Sequence, residues 1–172
     1  MIIINTGNGK GKTSAAIGQI VRSLGHGFKV CLIQLFKHKF FYGEQNILLK
    51  LNNLDFFSFA EFHPNFYFNM SVRRIKAQCA LAINKLKYIV RYDINKYHLV
   101  VLEEFNIALR DNFIDKHDLL RLVKKLSKKS NIIITGRNAS KELIDFADIV
   151  TDMKEIKHYY NDGKIAHKGI EY

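Results

Sequence analysis

The sequence predicts an α/β fold in which a mostly parallel β-sheet is covered by helices on both faces. Short apolar segments alternate with amphipathic segments along the whole chain, which is the pattern of strands joined by crossover helices. The segments at 1–5 and 98–103 contain continuous apolar runs, as expected of strands buried on both faces. No linker and no internal repeat divides the 172 residues, so we expect a single domain over 1–172.

Strands are predicted wherever a short apolar run is bounded by polar residues or glycine. These runs lie at 1–5, 28–36, 54–60, 98–103, 131–135 and 148–151. Ligands of such folds bind at the carboxyl ends of the strands. The residues that directly follow these runs are therefore the first candidates for function.

Helices are predicted from apolar residues at helical spacing, at 13–24, 43–51, 71–91, 115–129 and 140–146. Gly25 and Gly27 end the first helix, because glycine tolerates a left-handed turn. Ser71 is a suitable N-cap for the longest helix. The aromatic segment 61–70 is expected to be irregular, and a turn is expected at 161–163.

The composition excludes several classes of protein. A hydrophobic fraction of 48% and a charged fraction of 25% are typical of a globular chain rather than a disordered or collagen-like one. No apolar run approaches the ~18 residues of a membrane helix, and the first residues do not form a signal peptide. The two cysteines lie far apart, which argues against a cysteine-based metal site and predicts a reducing compartment, hence the cytoplasm.

The net charge of +11 has two readings. It can indicate an anionic partner, such as nucleic acid or a polyphosphate. It can also reflect a coding bias, since lysines outnumber arginines and are scattered along the whole chain. We favour the compositional explanation and do not expect a nucleic-acid partner.

A phosphate-binding loop is predicted directly after the first strand. Its candidate nucleotide-binding residues are Thr6, Gly7, Asn8, Gly9, Lys10, Gly11, Lys12, Thr13 and Ser14. Small residues let backbone N–H groups surround a polyphosphate, and the helix N-terminus adds partial positive charge. Lys12 supplies a point charge to phosphate oxygens, and the Thr13 hydroxyl suits a Mg²⁺ ion. The spacing departs from the usual loop, because Thr6 stands where the first glycine is expected.

Two further strand ends carry candidate residues. The run at 99–102 is followed by Glu103 and Glu104. The first carboxylate is predicted to hold Mg²⁺ together with Thr13, and Glu104 is a candidate nucleotide-binding residue. Arg137 follows the run at 131–135, where it can bind phosphate or ribose. A structural ion pair is an equally good explanation of Arg137.

These segments together resemble the P-loop type of ATP:corrinoid adenosyltransferase, whose core is RecA-like. The matching segments are TGNGKGKTSAAIG, GHGFKVCLIQLFK, the Gly43-Glu44 pair, VVLEE, ITGRNASKELIDFADIVTDMKEIKH and the closing GIEY. They keep their order and span nearly the whole chain. The departures are Glu103 in place of the family's Asp, and Lys37-His38 in place of Lys-Gly.

The resemblance implies transfer of the 5′-deoxyadenosyl group of ATP to Co(I) of a corrinoid, with release of tripolyphosphate. It implies ATP held in the reverse of the usual orientation, with Mg²⁺ as cofactor and Lys12 as a catalytic residue. Phe66 and Phe68 match an aromatic pair that displaces the lower axial ligand of the corrin, with Phe68 in place of a Trp. A flavodoxin-like reductant and a homodimer are also implied.

Three alternatives stay open. The first is another kind of P-loop enzyme, such as a nucleoside kinase or an ATPase, since such enzymes have the same loop. Thymidine-kinase-like enzymes usually carry a four-Cys zinc ribbon, which two cysteines cannot build. A P-loop protein acting on nucleic acid would explain the charge and the aromatic segment. A degenerate homologue would bind ATP or corrinoid without catalysis.

Overall fold

The computed structural model describes residues 1–38, 41–59, 71–158, 163 and 165–172. Its strands are β1 (Ile2–Thr6), β2 (Val30–Leu35), β3 (Leu54–Phe59), β4 (Leu99–Glu103), β5 (Asn131–Thr135) and β6 (Ile149–Asp152). Its helices are α1 (Lys12–Gly25), α2 (Gly43–Leu48), α3 (Val72–Tyr92), α4 (Phe105–Arg110), α5 (Lys116–Leu126) and α6 (Lys141–Phe146).

The described strands form one six-stranded sheet in the order β3-β2-β4-β5-β1-β6. Every neighbouring pair is parallel. Parallel neighbours require crossover connections, and helices supply them here. The predicted α/β fold is confirmed, and the carboxyl ends of all these strands lie along one edge of the sheet.

Alternate residues along β1 to β5 face two separate hydrophobic cores, whereas the residues of the edge strand β6 are exposed. On one face, Ile4 and Ile134 pack with the apolar sides of α3 and α5. On the other face, Ile133 and Leu32 pack with α1, whose Ile20 is fully buried. Burial on both faces explains why these strands read as continuous apolar runs.

Three helices begin at a side-chain N-cap. Ser71 accepts a hydrogen bond from the backbone N–H of Arg74, as its position in the sequence predicts. Asp115 and Ser140 cap α5 and α6 in the same way. These caps satisfy backbone donors that a helix start would otherwise leave without partners.

The main difference from the prediction is α4, which begins one residue after β4. The first four residues of α4 are all buried, so the helix has no polar face that would mark its period in the sequence. The other boundaries differ by a few residues: β2 begins at Val30, and α2 ends at Leu48. The predictions for 61–70 and for 161–162 lie outside the described residues. No helix in the described ranges is long and apolar enough to cross a membrane.

Candidate nucleotide-binding site

Four neighbouring strands of the sheet end in the same way, with a residue of positive φ. Gly7 (φ 97°) follows β1, Phe36 (φ 59°) follows β2, Glu104 (φ 63°) follows β4 and Gly136 (φ 126°) follows β5. Positive φ is strained for residues other than glycine, and such strain clusters at functional sites. The chain therefore turns sharply at the edge where the sequence places its candidate residues.

The phosphate loop is packed against the segment that leaves β6. The backbone N–H of Gly9 donates to the Met153 carbonyl over 2.7 Å, and the Met153 N–H donates to the Thr6 carbonyl over 2.9 Å. A Cβ at Gly9 would lie 2.7 Å from the Met153 and Lys154 carbonyl oxygens. This close backbone approach is a second reason, besides phosphate binding, for glycine in the loop.

The start of α1 is free of a side-chain cap. Gly11 holds the N-cap position without a side chain, and the first turn contains no acidic residue. The helices α3, α5 and α6 have side-chain caps, whereas α1, like the short helices α2 and α4, leaves the N–H groups of its first turn without one. An uncapped helix start next to a glycine loop is a ready anion-binding site.

Lys12 is buried and folded back on its own loop. Its Nζ donates to the carbonyl oxygens of Gly7 and Gly9, both over 2.7 Å. Burial lowers the pKa of Lys12, although the charge of Glu104 acts in the opposite direction. A phosphate of a bound ligand can therefore replace the two loop carbonyls as acceptor of the hydrogen bonds from Lys12 Nζ.

A cavity of about 740 Å³ opens over this loop, which is the size of a small-molecule site. Its cationic lining residues are Lys10, Lys12, Lys37, Arg110 and Arg137, and its acidic lining residues are Glu44, Glu104 and Glu171. Asn8, Gly9, Gly11, Thr13 and Ser14 also line it. The excess of cations favours a polyanionic ligand.

Lys37 joins the two predicted metal ligands. Its Nζ lies 3.2 Å from Thr13 Oγ1, 3.0 Å from Glu103 Oε1 and 3.1 Å from Glu44 Oε1. Burial alone would lower the pKa of Lys37, but the charges of Glu103 and Glu44 outweigh it and raise the pKa, so the ammonium keeps its charge. Thr13 and Glu103 are thus brought together around one cation.

Behind Lys37, a buried chain of amides holds the Glu103 carboxylate. Gln34 Nε2 donates to Glu103 Oε2 over 3.4 Å, and Gln45 Nε2 donates to Gln34 Oε1 over 2.8 Å. Glu103 Oε1 accepts no aligned hydrogen bond from the described residues, so its contact with Lys37 is ionic. A metal ion can bind this buried oxygen only in place of the Lys37 ammonium.

Glu104 lines the cavity, whereas its neighbour in sequence, Glu103, is buried beneath Lys37 and does not. Burial raises the pKa of Glu104 to about 7, and the charge of Glu103 adds to the effect. Its Oε2 has no hydrogen-bond partner among the described residues. A Cβ at Gly136 would lie 3.1 Å from this oxygen and 3.0 Å from Asn106 Cβ, so glycine is needed at 136.

The remaining predicted residues fall into three groups. Arg137 is exposed and lines the cavity, where it faces the loop. Thr6 and Gly7 do not line this cavity; Thr6 Oγ1 instead accepts a hydrogen bond from the Ala139 N–H over 3.0 Å. Phe66 and Phe68 lie outside the described residues.

The closing GIEY segment forms one wall of the cavity. The Ile170 carbonyl accepts a hydrogen bond from Lys10 Nζ over 2.6 Å. The Tyr172 ring stacks on Phe41 with a centroid separation of 4.9 Å. The segment therefore contacts both the phosphate loop and the region before α2.

The chain is similar to known proteins over its whole length. A family model described as ATP:corrinoid adenosyltransferase BtuR/CobO/CobP matches residues 1–172. The chain belongs to this family. The corrinoid adenosyltransferase of Sinorhizobium sp is 36% identical over 174 aligned positions, which cover all of this chain and 80% of the relative. Those of Pseudomonas aeruginosa and Escherichia coli K12 are 31% and 30% identical, and the aligned part covers 83% and 85% of each relative.

In this member of the family, sequence reasoning missed several residues that line the cavity. Lys37, Tyr42, Arg110 and Tyr172 line the cavity, but none was predicted to bind a ligand. A signal existed for Lys37, because it directly follows the predicted strand at 28–36, as Glu104 directly follows the predicted strand at 98–103. Arg110 lies at the end of α4, the helix that the pattern does not reveal.

Proposed function

We propose that this protein transfers the 5′-deoxyadenosyl group of ATP to the cobalt of a Co(I) corrinoid. The Co(I) electron pair attacks the ribose 5′ carbon and forms the Co–C bond. The bond from that carbon to the triphosphate oxygen breaks, and its electron pair leaves with tripolyphosphate. Cobalt becomes formally Co(III). The observation that carries the proposal is the cationic cavity over the uncapped start of α1, in a chain of this family.

The residues around the loop suit the leaving group. A triphosphate gains charge as it departs, so fixed positive groups stabilise the transition state more than the ground state. Lys12 and the open N–H groups of α1 supply such groups without reorganisation of water. Lys10 and Arg137 add two cations at the rim of the same cavity.

The residues present fit a magnesium ion. Thr13 Oγ1 and Glu103 Oε1 already lie within hydrogen-bonding distance of one cationic nitrogen, and hard oxygen atoms are the ligands that Mg²⁺ prefers. We infer that Thr13 and Glu103 hold the ion next to the phosphates. When bound, it neutralises charge on the triphosphate.

The corrinoid side of the site stays a prediction. Phe66 and Phe68 are proposed to displace the lower axial ligand of the corrin, which makes Co(II) easier to reduce. A flavodoxin-like protein is the proposed reductant, since its acidic surface would complement a chain of net charge +11. We also propose a homodimer and a cytoplasmic location.

Turnover of chemically reduced cob(I)alamin with MgATP under anaerobic conditions tests the proposal. Formation of a light-sensitive Co–C product is followed by absorbance, and tripolyphosphate is measured in the same samples. Lys12→Ala is expected to abolish the product. The matched control is Lys129→Ala, which removes an exposed lysine outside the cavity and is expected to leave the rate unchanged.

The alternatives give different results. Binding of ATP without product, even with supplied Co(I) and with cob(I)yrinic acid a,c-diamide as a second acceptor, would contradict the transferase and favour a non-catalytic homologue. Release of inorganic phosphate that does not require corrinoid would favour an ATPase.

A further inference from the structure

The space between the predicted magnesium ligands is filled by a side chain of the protein itself. Lys37 Nζ is 3.2 Å from Thr13 Oγ1 and 3.0 Å from Glu103 Oε1. These two oxygens are the ones that we assign to the metal. An ammonium and a metal ion cannot both lie between them, because both are cations and each needs the same oxygen atoms.

Lys37 is held in this position from several sides. Phe36, which is buried and has a φ of 59°, turns the chain at the end of β2 just before it. Glu44 accepts a hydrogen bond from Nζ over 3.1 Å, and the Tyr42 ring centroid lies 4.8 Å from the same nitrogen. The side chain is only 10% exposed. These contacts fix the Lys37 side chain in one buried position, unlike that of a solvent-exposed lysine.

The charges around Lys37 also favour its position between Thr13 and Glu103 when no nucleotide is bound. Glu103 and Glu44 supply two carboxylates, Lys37 neutralises one of them, and Thr13 is neutral. The described ranges contain no group of three or more His, Cys, Asp or Glu side chains that could hold a metal ion. A divalent ion therefore needs further oxygen ligands, and the phosphates of a nucleotide supply both the oxygens and the negative charge.

We propose that Lys37 is the resident cation of the Thr13–Glu103 site, and that Mg²⁺ enters only with the nucleotide triphosphate, displacing the Lys37 ammonium. Metal and nucleotide then bind as a unit, and free metal does not occupy the site. Lys37 is a positioning residue, since it keeps the Glu103 carboxylate in place until the nucleotide arrives. The inference rests on the proposed ATP-dependent function.

Binding of Mn²⁺ to the protein without corrinoid tests this inference, with electron paramagnetic resonance as the readout. Mn²⁺ takes the same oxygen ligands as Mg²⁺. The wild-type protein is expected to bind Mn²⁺ at this site only when ATP is present. Lys37→Met keeps the length of the side chain and removes its charge, and it is expected to bind Mn²⁺ without ATP at least about tenfold more tightly than wild type.

Two further variants serve as controls. Lys37→Arg keeps a cation and is expected to behave as wild type without nucleotide. Lys37→Met combined with Glu103→Gln removes the metal ligand, so the gain in Mn²⁺ affinity is expected to vanish. If Lys37→Met is unstable because Glu103 is left unpaired, Mn²⁺ alone is expected to raise its melting temperature but not that of wild type.

Two results would overturn the proposal. One is tight binding of Mn²⁺ by the wild-type protein without ATP, which needs no variant to observe. The other is a weaker affinity of Lys37→Met for ATP together with an unchanged affinity for Mn²⁺. That result is expected if Lys37 contacts phosphate and the metal binds elsewhere. Neither result depends on adenosyl transfer, so failure of the transferase proposal is detected separately by the cob(I)alamin assay.

Discussion

Gln34 and Glu103 lie directly opposite each other on β2 and β4, and the Gln34 amide donates to Glu103 Oε2 over 3.4 Å. Both side chains are fully enclosed, with exposures of 0% and 1%. A strand in the middle of the sheet thus carries a polar residue on an otherwise apolar run, and its function is to support the carboxylate at the next strand end.

Replacement of Gln34 by leucine is expected to destabilise the protein. The change removes the donor to Glu103 and the acceptor of Gln45, and leaves buried polar groups without partners, which costs about 1–3 kcal/mol for such a group. Urea denaturation followed by circular dichroism measures the difference. The control is Asn46→Leu, an exposed position on α2, which is expected to change stability by less than about 0.5 kcal/mol. An unchanged midpoint for Gln34→Leu would show that the amide chain is not needed for stability.

Asp55 is expected to make stability depend on pH. Burial alone would raise the pKa of Asp55, but hydrogen bonds from Lys29, Tyr97 and Lys96 outweigh it and hold the pKa well below its usual range. Because the pKa is lowered in the folded state, the stabilisation is complete above the pKa of about 3.9 in the unfolded chain and is lost as the pH falls below it.

The variant that tests this is Asp55→Asn. It is expected to unfold at lower urea concentration than wild type at pH 7, and the gap is expected to narrow as the pH drops below about 4. The control is Asp145→Asn, which removes a carboxylate from an exposed ion pair with Lys141. This change is expected to lower the free energy of unfolding by only about a few tenths of a kcal/mol at any pH. Equal pH dependence in Asp55→Asn and wild type would refute the assignment.

Two glycines on this chain are expected to respond in opposite directions to alanine. Gly136 has a φ of 126°, and a Cβ there would meet Asn106 and Glu104 at 3.0 and 3.1 Å. Gly136→Ala is therefore expected to lose more than about 1 kcal/mol of stability, and to weaken ATP binding because it displaces Glu104. Gly18 lies within α1 with nothing within 4 Å of a new Cβ, so Gly18→Ala is expected to stabilise by about 0.5–1 kcal/mol. Thermal unfolding of both variants in parallel tests this, with a lower melting temperature expected for Gly136→Ala and a higher one for Gly18→Ala.

Removal of the Thr13 hydroxyl is expected to separate metal-dependent from metal-independent nucleotide binding. Thr13→Val keeps the shape of the side chain but not the oxygen that we assign to Mg²⁺. Affinity for MgATP, measured by calorimetry, is expected to fall by at least about tenfold, whereas affinity for ATP in excess EDTA is expected to stay the same. Ser23→Ala, a hydroxyl near the other end of α1, is the control. Equal losses with and without metal would place the Thr13 hydroxyl on phosphate instead.

Local sequence patterns predicted the elements that carry the site. Strand ends at Thr6, Glu103 and Thr135 fall within a residue of their predicted positions, because each ends an apolar run that is buried on both faces. The loop at 6–14 is predicted to bind phosphate because this combination of residue types, between a strand and a helix, has few other uses. The N-cap at Ser71 could also be predicted, since the backbone N–H that it accepts from belongs to Arg74, only three residues further along the chain.

Features that depend on contacts between distant residues could not be predicted in this way. The order of strands brings Gln34 beside Glu103, which are 69 residues apart in sequence. Lys37 reaches Thr13 and Glu103 only because β2 and β4 are neighbours and Phe36 takes a positive φ. No local pattern of hydrophobicity contains this information. Helix α4 was not predicted for a different reason, since its first four residues are all buried and no polar face marks its period.

The place of β1 in the sheet has a consequence for the order of folding. Its hydrogen-bonded neighbours are β5 and β6, whose residues lie more than 120 positions further along the chain. The phosphate loop therefore comes early in the sequence, but the strands that hold it and the Met153 carbonyl that Gly9 contacts come late. Closing so long a loop of chain makes this pairing slow relative to local helix formation. The pairing of β2, β3 and β4 can form first, and the nucleotide site is among the last parts of the molecule to be assembled.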